Sequence, residues 1–146
     1  MSTALYDKGG IKAIIGLGNP GARYYNTRHS IGFCIIDVLA DRVGGSWQDA
    51  GVMEYAQASF RDESMVPYSE KVYLIKPLTF MNSSQKVLPF LQKKGIKPEE
   101  ILVIHDELEK SFGKINIKFG GSARGHNGLR SIMGTLGKDF WRLQFG

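Results

Sequence analysis

Ile11-Lys12-Ala13-Ile14-Ile15-Gly16-Leu17-Gly18-Asn19-Pro20-Gly21 is a short apolar, β-branched run closing on a cluster of glycines. It has the form of a strand buried in a parallel sheet that turns sharply at its carboxyl end. The glycine spacing alone reads as a dinucleotide fingerprint, in which a helix starts at once and faces a pyrophosphate. The residues between the glycines argue against that. Pro20-Gly21 is a turn dipeptide, and helical apolar spacing begins only near Ile31. The acid that would hold a ribose, Asp37, falls inside the following amphipathic helix rather than after a second strand. A dinucleotide site is therefore not expected here.

Outward from that loop, the spacing predicts a helix over 30–43, with Ile31, Ile35, Val38 and Leu39 as its apolar stripe, Asp37 and Asp41 on another face, and Gly44-Gly45 as its stop. Val52–Phe60 reads as a strand, 61–69 as a polar hairpin connection, and Lys71–Lys76 as a strand stopped by Pro77. A helix capped by the hydroxyls of Ser83 and Ser84 is expected to run to Lys94, with Gly95 ending it. Pro89 predicts a kink there or a later start, because it removes an interior hydrogen bond. Pro98-Glu99-Glu100 reads as a short turn, and Ile101–His105 as a central strand. In Lys114–Phe119, Ile115, Ile117 and Phe119 alternate with polar residues, predicting a strand with one wet face. His126-Asn127-Gly128 leads into a helix through Leu136, and a last strand in which Trp141, Leu143 and Phe145 alternate completes the pattern. Strands alternating with helices give an α/β fold: one domain with a mixed, partly parallel sheet flanked by helices. The domain is expected to occupy 11–146, with 1–10 as an N-terminal extension.

Composition narrows the class. The chain has 146 residues, 42% hydrophobic and 23% charged, sufficient for one buried core. It contains no apolar run of signal or membrane-spanning length. One cysteine, Cys34, excludes an intrachain disulfide and suits a reducing cytoplasm. Its three histidines lack paired ligand spacing, so no metal is expected. A formal charge of +5 permits an anionic partner such as nucleic acid, and equally suits a mildly basic surface.

In parallel sheets ligands bind at the carboxyl ends of strands. Asn19, Asn82 and Asp106 all follow strands, and His29, His126 and Asn127 lie in or beside loops of the same kind. A neutral histidine oriented by a carboxylate can deprotonate water, while asparagine amides can orient a peptide-like substrate or stabilise an oxyanion. No serine sits in a nucleophile elbow, and Cys34 lies in a helix, so a covalent route has little support. Each residue also has an ordinary reading. Asn19 builds a turn, Asn82 caps a helix, Asp106 binds loop amides, Met81 and Phe80 are core, and His29 and His126 are local contacts. His105 reads as structural. Lys114 and Lys118, near Lys110 and Arg124, form either a solvated face or a phosphate-binding stripe.

Five blocks in order resemble bacterial-type peptidyl-tRNA hydrolase: Gly16–Gly21 with Tyr24, Thr27-Arg28-His29, Pro77–Ser84, His105-Asp106-Glu107-Leu108, and Gly125-His126-Asn127-Gly128-Leu129. The resemblance implies hydrolysis of the ester joining a peptide to tRNA, without metal or organic cofactor, by a cytoplasmic monomer whose partner is peptidyl-tRNA. It implies His29 as general base and Asp106 as its orienting carboxylate. Asn19, Asn82 and Asn127 are then substrate-positioning amides, with Asn82 also placed to assist the reacting carbonyl or water. Met81 lines the cleft, His126 supports Asn127, Tyr24 meets the 3′ end of tRNA, and Lys118 meets a tRNA phosphate. Two departures accompany it. Gln144 stands where the family carries a second basic residue of the phosphate clamp, and the family pattern continues past Gly146 through helices whose loss should expose apolar surface. A non-catalytic RNA-binding module of the same fold, like the plant chloroplast splicing factors, is the rival reading; the presence of His29 and Asp106 favours the enzyme.

Overall fold

The computed structural model describes residues 10–18, 30–61, 69–106, 114–123 and 125–146. Its strands are β1 (Ala13–Gly16), β2 (Gln48–Asp49), β3 (Met53–Arg61), β4 (Ser69–Pro77), β5 (Ile101–Asp106), β6 (Ile115–Phe119) and β7 (Trp141–Phe145), and its α-helices are α1 (Ile31–Val43), α2 (Leu88–Lys93) and α3 (Asn127–Leu136). The seven strands form one sheet in the order β2-β3-β4-β1-β5-β7-β6. The middle four, β4, β1, β5 and β7, are mutually parallel, while β3 and β6 pair antiparallel at either side. The expected mixed, partly parallel α/β sheet is what the chain forms. The edge strand β2, only two residues long and exposed, carries no periodic signal and escaped the sequence reading.

Two apolar layers sandwich the sheet. Ala13, Ile15, Met53, Ile75, Ile101 and Val103 face the 3-10 segment Met81–Val87, α2 and α3. Ile14, Ala56, Val72, Leu74 and Ile104 face α1. Burying both faces is what makes β1 and β5 read as continuous apolar runs.

Several local expectations are corrected. The stripe that α1 buries is Gly32, Phe33, Ile36 and Ala40, one position round from the expected set, and Val38 is 54% exposed. Small residues decide this: Gly32 and Ala40 let the helix approach the sheet more closely than a row of branched side chains would. A Cβ on Gly32 would lie 2.5 Å from Leu17 N and 2.7 Å from Ile104 O. Gly16 and Gly18 serve the same approach, since a Cβ on Gly16 would strike the Gly32 backbone and one on Gly18 would lie 2.8 Å from the Phe33 ring. Neither has a positive φ. These two glycines make room for a helix rather than supply turn freedom. Asp37, misplaced for a ribose, accepts a 2.7 Å bond from Lys76 on β4.

The serine caps are also absent. Phe80 stands at the N-terminus of the 3-10 segment without a side-chain cap, and the Ser84 hydroxyl donates back to Met81 O at 2.7 Å. Pro89 acts as expected: α2 begins only at Leu88, so that proline falls in its first turn, where the missing N–H costs nothing. Gly95 follows with φ of 74°.

In β7, where Trp141, Leu143 and Phe145 alternate, Trp141 is buried at 6% exposure, but so are Arg142 and Gln144 of the opposite face, at 0% and 4%. Leu143 and Phe145 are half-buried, and on neighbouring β6 Ile115 and Ile117 are 61% and 49% exposed. The reason is coverage: α1 packs on β1, β3, β4 and β5, leaving that face of β6 beyond its reach.

Candidate active site

Parallel pairing aligns the carboxyl ends of β4, β1 and β5, and the chain leaving each contributes to one place. Leu17 follows β1 and donates its N–H to Ile104 O at 3.0 Å. Met81 follows β4 with its side chain buried, and Asp106 is the last residue of β5. All meet the start of α3. A Cβ on Gly128 would lie 2.6 Å from Met81 Sδ, 2.9 Å from Leu17 Cδ1 and 3.1 Å from His126 Cε1. The glycine is needed so that the first turn of α3 can seat against two strand ends. Met81 therefore belongs to the core and packs against the first turn of α3.

The Asp106 side chain is almost wholly buried and accepts from His126 Nε2 at 2.7 Å. His126 is also the N-cap of α3, its Nδ1 accepting from Leu129 N at 3.2 Å. A ring nitrogen that accepts cannot carry the proton, so the neutral tautomer is fixed with its hydrogen on Nε2, aimed at the carboxylate. Both nitrogens are thereby committed. The expected role for His126, support of Asn127, is joined by this direct bond to Asp106, which spacing could not reveal because the pair is closed across the fold.

Behind them His105 is completely buried, edge-on to the His126 ring at 5.2 Å between centroids. Its Nδ1 donates to Asp106 O at 2.7 Å, and Nε2 has no hydrogen-bond partner among the described residues. Burial pushes its pKa down from 6.5 to about 4; the bond to Asp106 O and the Asp106 charge oppose the shift, while His126 and Arg142 add to it. A ring so held is neutral at physiological pH, in keeping with the structural reading.

Asn82, the second residue of the 3-10 segment, and Asn127, the first of α3, are exposed, and these two elements pack together. Lys118 lies on β6 opposite Arg142, with its Nζ against the Gly121 backbone. Gln144 lies beside His105 in the sheet and accepts from Asn116 Nδ2 at 3.2 Å, so the departure from the family clamp is a neutral amide pair. Asn19, Tyr24 and His29 lie outside the described residues. Arg142 was missed by sequence reading; its only signal was a cation inside a strand of otherwise apolar alternation.

An α/β sheet with a buried carboxylate, a tautomer-locked imidazole and amides at its carboxyl edge brings together the groups of a hydrolase. A model of the peptidyl-tRNA hydrolase family matches residues 13–146. The peptidyl-tRNA hydrolase of Neisseria meningitidis serogroup C is 45% identical over 140 residues, covering 93% of this chain and 69% of that protein. The Mycobacterium sp. (strain KMS) enzyme is 41% identical, over 91% of this chain and 68% of its own length. The crystal structure of peptidyl-tRNA hydrolase from Acinetobacter baumannii superposes with a TM-score of 0.82 at 39% identity, over 92% of this chain and 66% of that one. A PAC2 family protein from Streptomyces avermitilis shares the fold alone, at 12% identity and a TM-score of 0.57. The chain belongs to the peptidyl-tRNA hydrolase family, and membership supports hydrolysis of the peptidyl-tRNA ester as its activity. It spans about two thirds of the length of these relatives.

Proposed function

We propose that this chain cleaves the ester between peptide and tRNA using water activated by His29 and oriented through Asp106. The observation that carries the reading is the state of the other two of the three histidines. His126 donates to Asp106 with one nitrogen and accepts from Leu129 with the other, leaving no lone pair for a water proton. His105 is buried, with its pKa pushed down to about 4. Only His29 is left to act as a base near neutral pH.

In this mechanism His29 takes a proton from water as the oxygen attacks the ester carbonyl. The oxyanion is met by amide N–H groups, with Asn82 as first candidate. Collapse expels the ribose oxygen, which takes the proton from His29, and the products are a tRNA hydroxyl and a peptide carboxylic acid that releases its proton to solvent to become the carboxylate. Asp106, kept as an acceptor by the His126 N–H, stabilises the transient imidazolium. Asn19 and Asn127 position the peptide, Met81 and His126 wall the cleft, Tyr24 meets the 3′ end and Lys118 takes a phosphate. The reaction needs no metal or organic cofactor. The same reading places the chain in the cytoplasm as a monomer. No helix among the described residues is long and apolar enough to cross a membrane.

Release of peptide from N-blocked aminoacyl-tRNA, compared with a His29→Ala control that still binds tRNA, tests the assignment. Unchanged turnover in the control removes His29. Binding without release by the unaltered chain favours the RNA-binding module.

A further inference from the structure

Arg142 is the largest wholly buried side chain among the described residues, and no carboxylate pairs with it there. Its Nη1 donates to Ser122 O at 2.7 Å, and its Nη2 donates to Gly121 O at 2.8 Å and Lys138 O at 3.2 Å. The guanidinium carbon sits 4.5 Å over the Phe140 ring. Burial lowers its pKa, yet arginine begins so high that the group keeps its charge. A buried cation held by carbonyls and a ring carries a cost that a neutral side chain would avoid.

Its partners indicate what that cost secures. Gly121 and Ser122 lie between β6 and α3, and Lys138 follows α3, so one planar fork ties the approach to α3 and its exit to the sheet. The approach includes two glycines in the left-handed region, Gly120 at 75° and Gly121 at 106°. Without fixed partners this would be a compliant segment. Lys118 is paired directly with Arg142 in the β6–β7 ladder and meets the same turn: a Cβ built on Gly121 would meet its Nζ at 2.9 Å and Cε at 3.1 Å, with Arg142 Nη1 at 3.9 Å. The guanidinium thus fixes the surface on which the Lys118 ammonium rests, and its own charge lies beneath that surface without reaching solvent.

We propose that Arg142 is a positioning residue for anion binding: it locks the 120–122 turn, and the turn seats Lys118 for contact with a tRNA phosphate. The inference rests on the reading of Lys118 given above. Arg142 also supplies a second charge from below the surface where Gln144 supplies none.

Affinity of the chain for tRNA is measured across a salt series for the unaltered protein, Lys118→Ala, Arg142→Lys and the double variant, with circular dichroism confirming the fold. Lysine retains the charge but lacks the fork that spans three carbonyls. Each single variant should reduce the slope of log affinity against log salt by about one, and the double variant should lose no more than either. Gly121→Ala, which keeps the Arg142 side chain but sets a methyl against Lys118 Nζ in a turn whose φ of 106° disfavours it, should have the same effect and carries the test if Arg142→Lys does not fold. A reduced slope in Lys118→Ala with an unaltered slope in Arg142→Lys, or in Gly121→Ala when that variant stands in, overturns the positioning role. An unaltered slope in Lys118→Ala overturns the phosphate contact itself, and the positioning role with it.

Discussion

Acid should attack this protein through His105. The ring is wholly buried, its Nε2 has no partner among the described residues, and its pKa is pushed from 6.5 down to about 4. Because the folded-state pKa lies below the unfolded one, the unfolded chain binds the proton first. The stability secured by keeping the ring neutral is fully present above pH 6.5 and is lost as pH falls toward 4. At about 1.4 kcal/mol per unit, a shift of this size corresponds to roughly 3 kcal/mol, a large share of the stability of an ordinary domain. His105→Asn keeps an N–H that can reach Asp106 O and removes the titration. Urea unfolding at pH 7 and pH 4.5, followed by tryptophan fluorescence and circular dichroism, should show the unaltered protein losing about 2 kcal/mol more than the variant. Equal losses in the two proteins would falsify the assignment of that acid sensitivity to His105.

Asp106→Asn should leave tRNA binding within about twofold while lowering kcat by a hundredfold or more, because an amide cannot stabilise an imidazolium as a carboxylate does; single-turnover kinetics at saturating enzyme would detect a variant that remains fast. Gly128→Ala should cost about 1–3 kcal/mol, since the added methyl meets Met81 Sδ and the Leu17 side chain, and an unchanged melting temperature would contradict the close seating of α3. Glu100 is pulled in two directions: burial raises its pKa, but the Lys12 hydrogen bond, the Lys97 N–H and both lysine charges outweigh this and leave it below 4.5. Its contribution is present above the unfolded carboxylate pKa and is lost as pH falls through the lowered one. Glu100→Gln should therefore cost about 1 kcal/mol at pH 7 and progressively less on acidification, read as a narrowing gap between the two urea midpoints.

The limits of the sequence reading fall where one side chain's environment depends on a distant element. Ile101–Asp106 was legible because a strand buried on both faces is apolar throughout. Trp141–Phe145 was legible as a strand but not in its more buried face, because alternation shows two faces without showing which one will be covered; the 120–122 turn and its carbonyls enclose the arginine side. The stripe of α1 was misplaced for a related reason: hydrophobicity draws attention to Val38 and Ile31, whereas close packing is set by Gly32 and Ala40. At the site, Asp106, Asn82, Met81, His126 and Asn127 could be singled out from strand ends and the ordered family blocks. The His126–Asp106 bond, the locked tautomer and the buried guanidinium required three-dimensional closure.

The order β2-β3-β4-β1-β5-β7-β6 also governs how the chain can assemble as it is synthesised. β1 emerges first, yet its partners on either side are β4 and β5, with Ala13 paired to Tyr73 and Ile101. An apolar strand made early must wait for most of the chain before its backbone is satisfied. β3 and β4 are adjacent in sequence and pair over their full lengths, so they can form a hairpin while β1 is still alone. Contacts between distant segments carry the larger loop-closure cost and form later. The expected folding nucleus is therefore this hairpin, with β1 entering as a preformed partner edge becomes available. Higher φ-values at Ala58 and Val72 than at Ile14 and Ile104 would mark that sequence of events, and the reverse order would place the nucleus in the parallel centre instead.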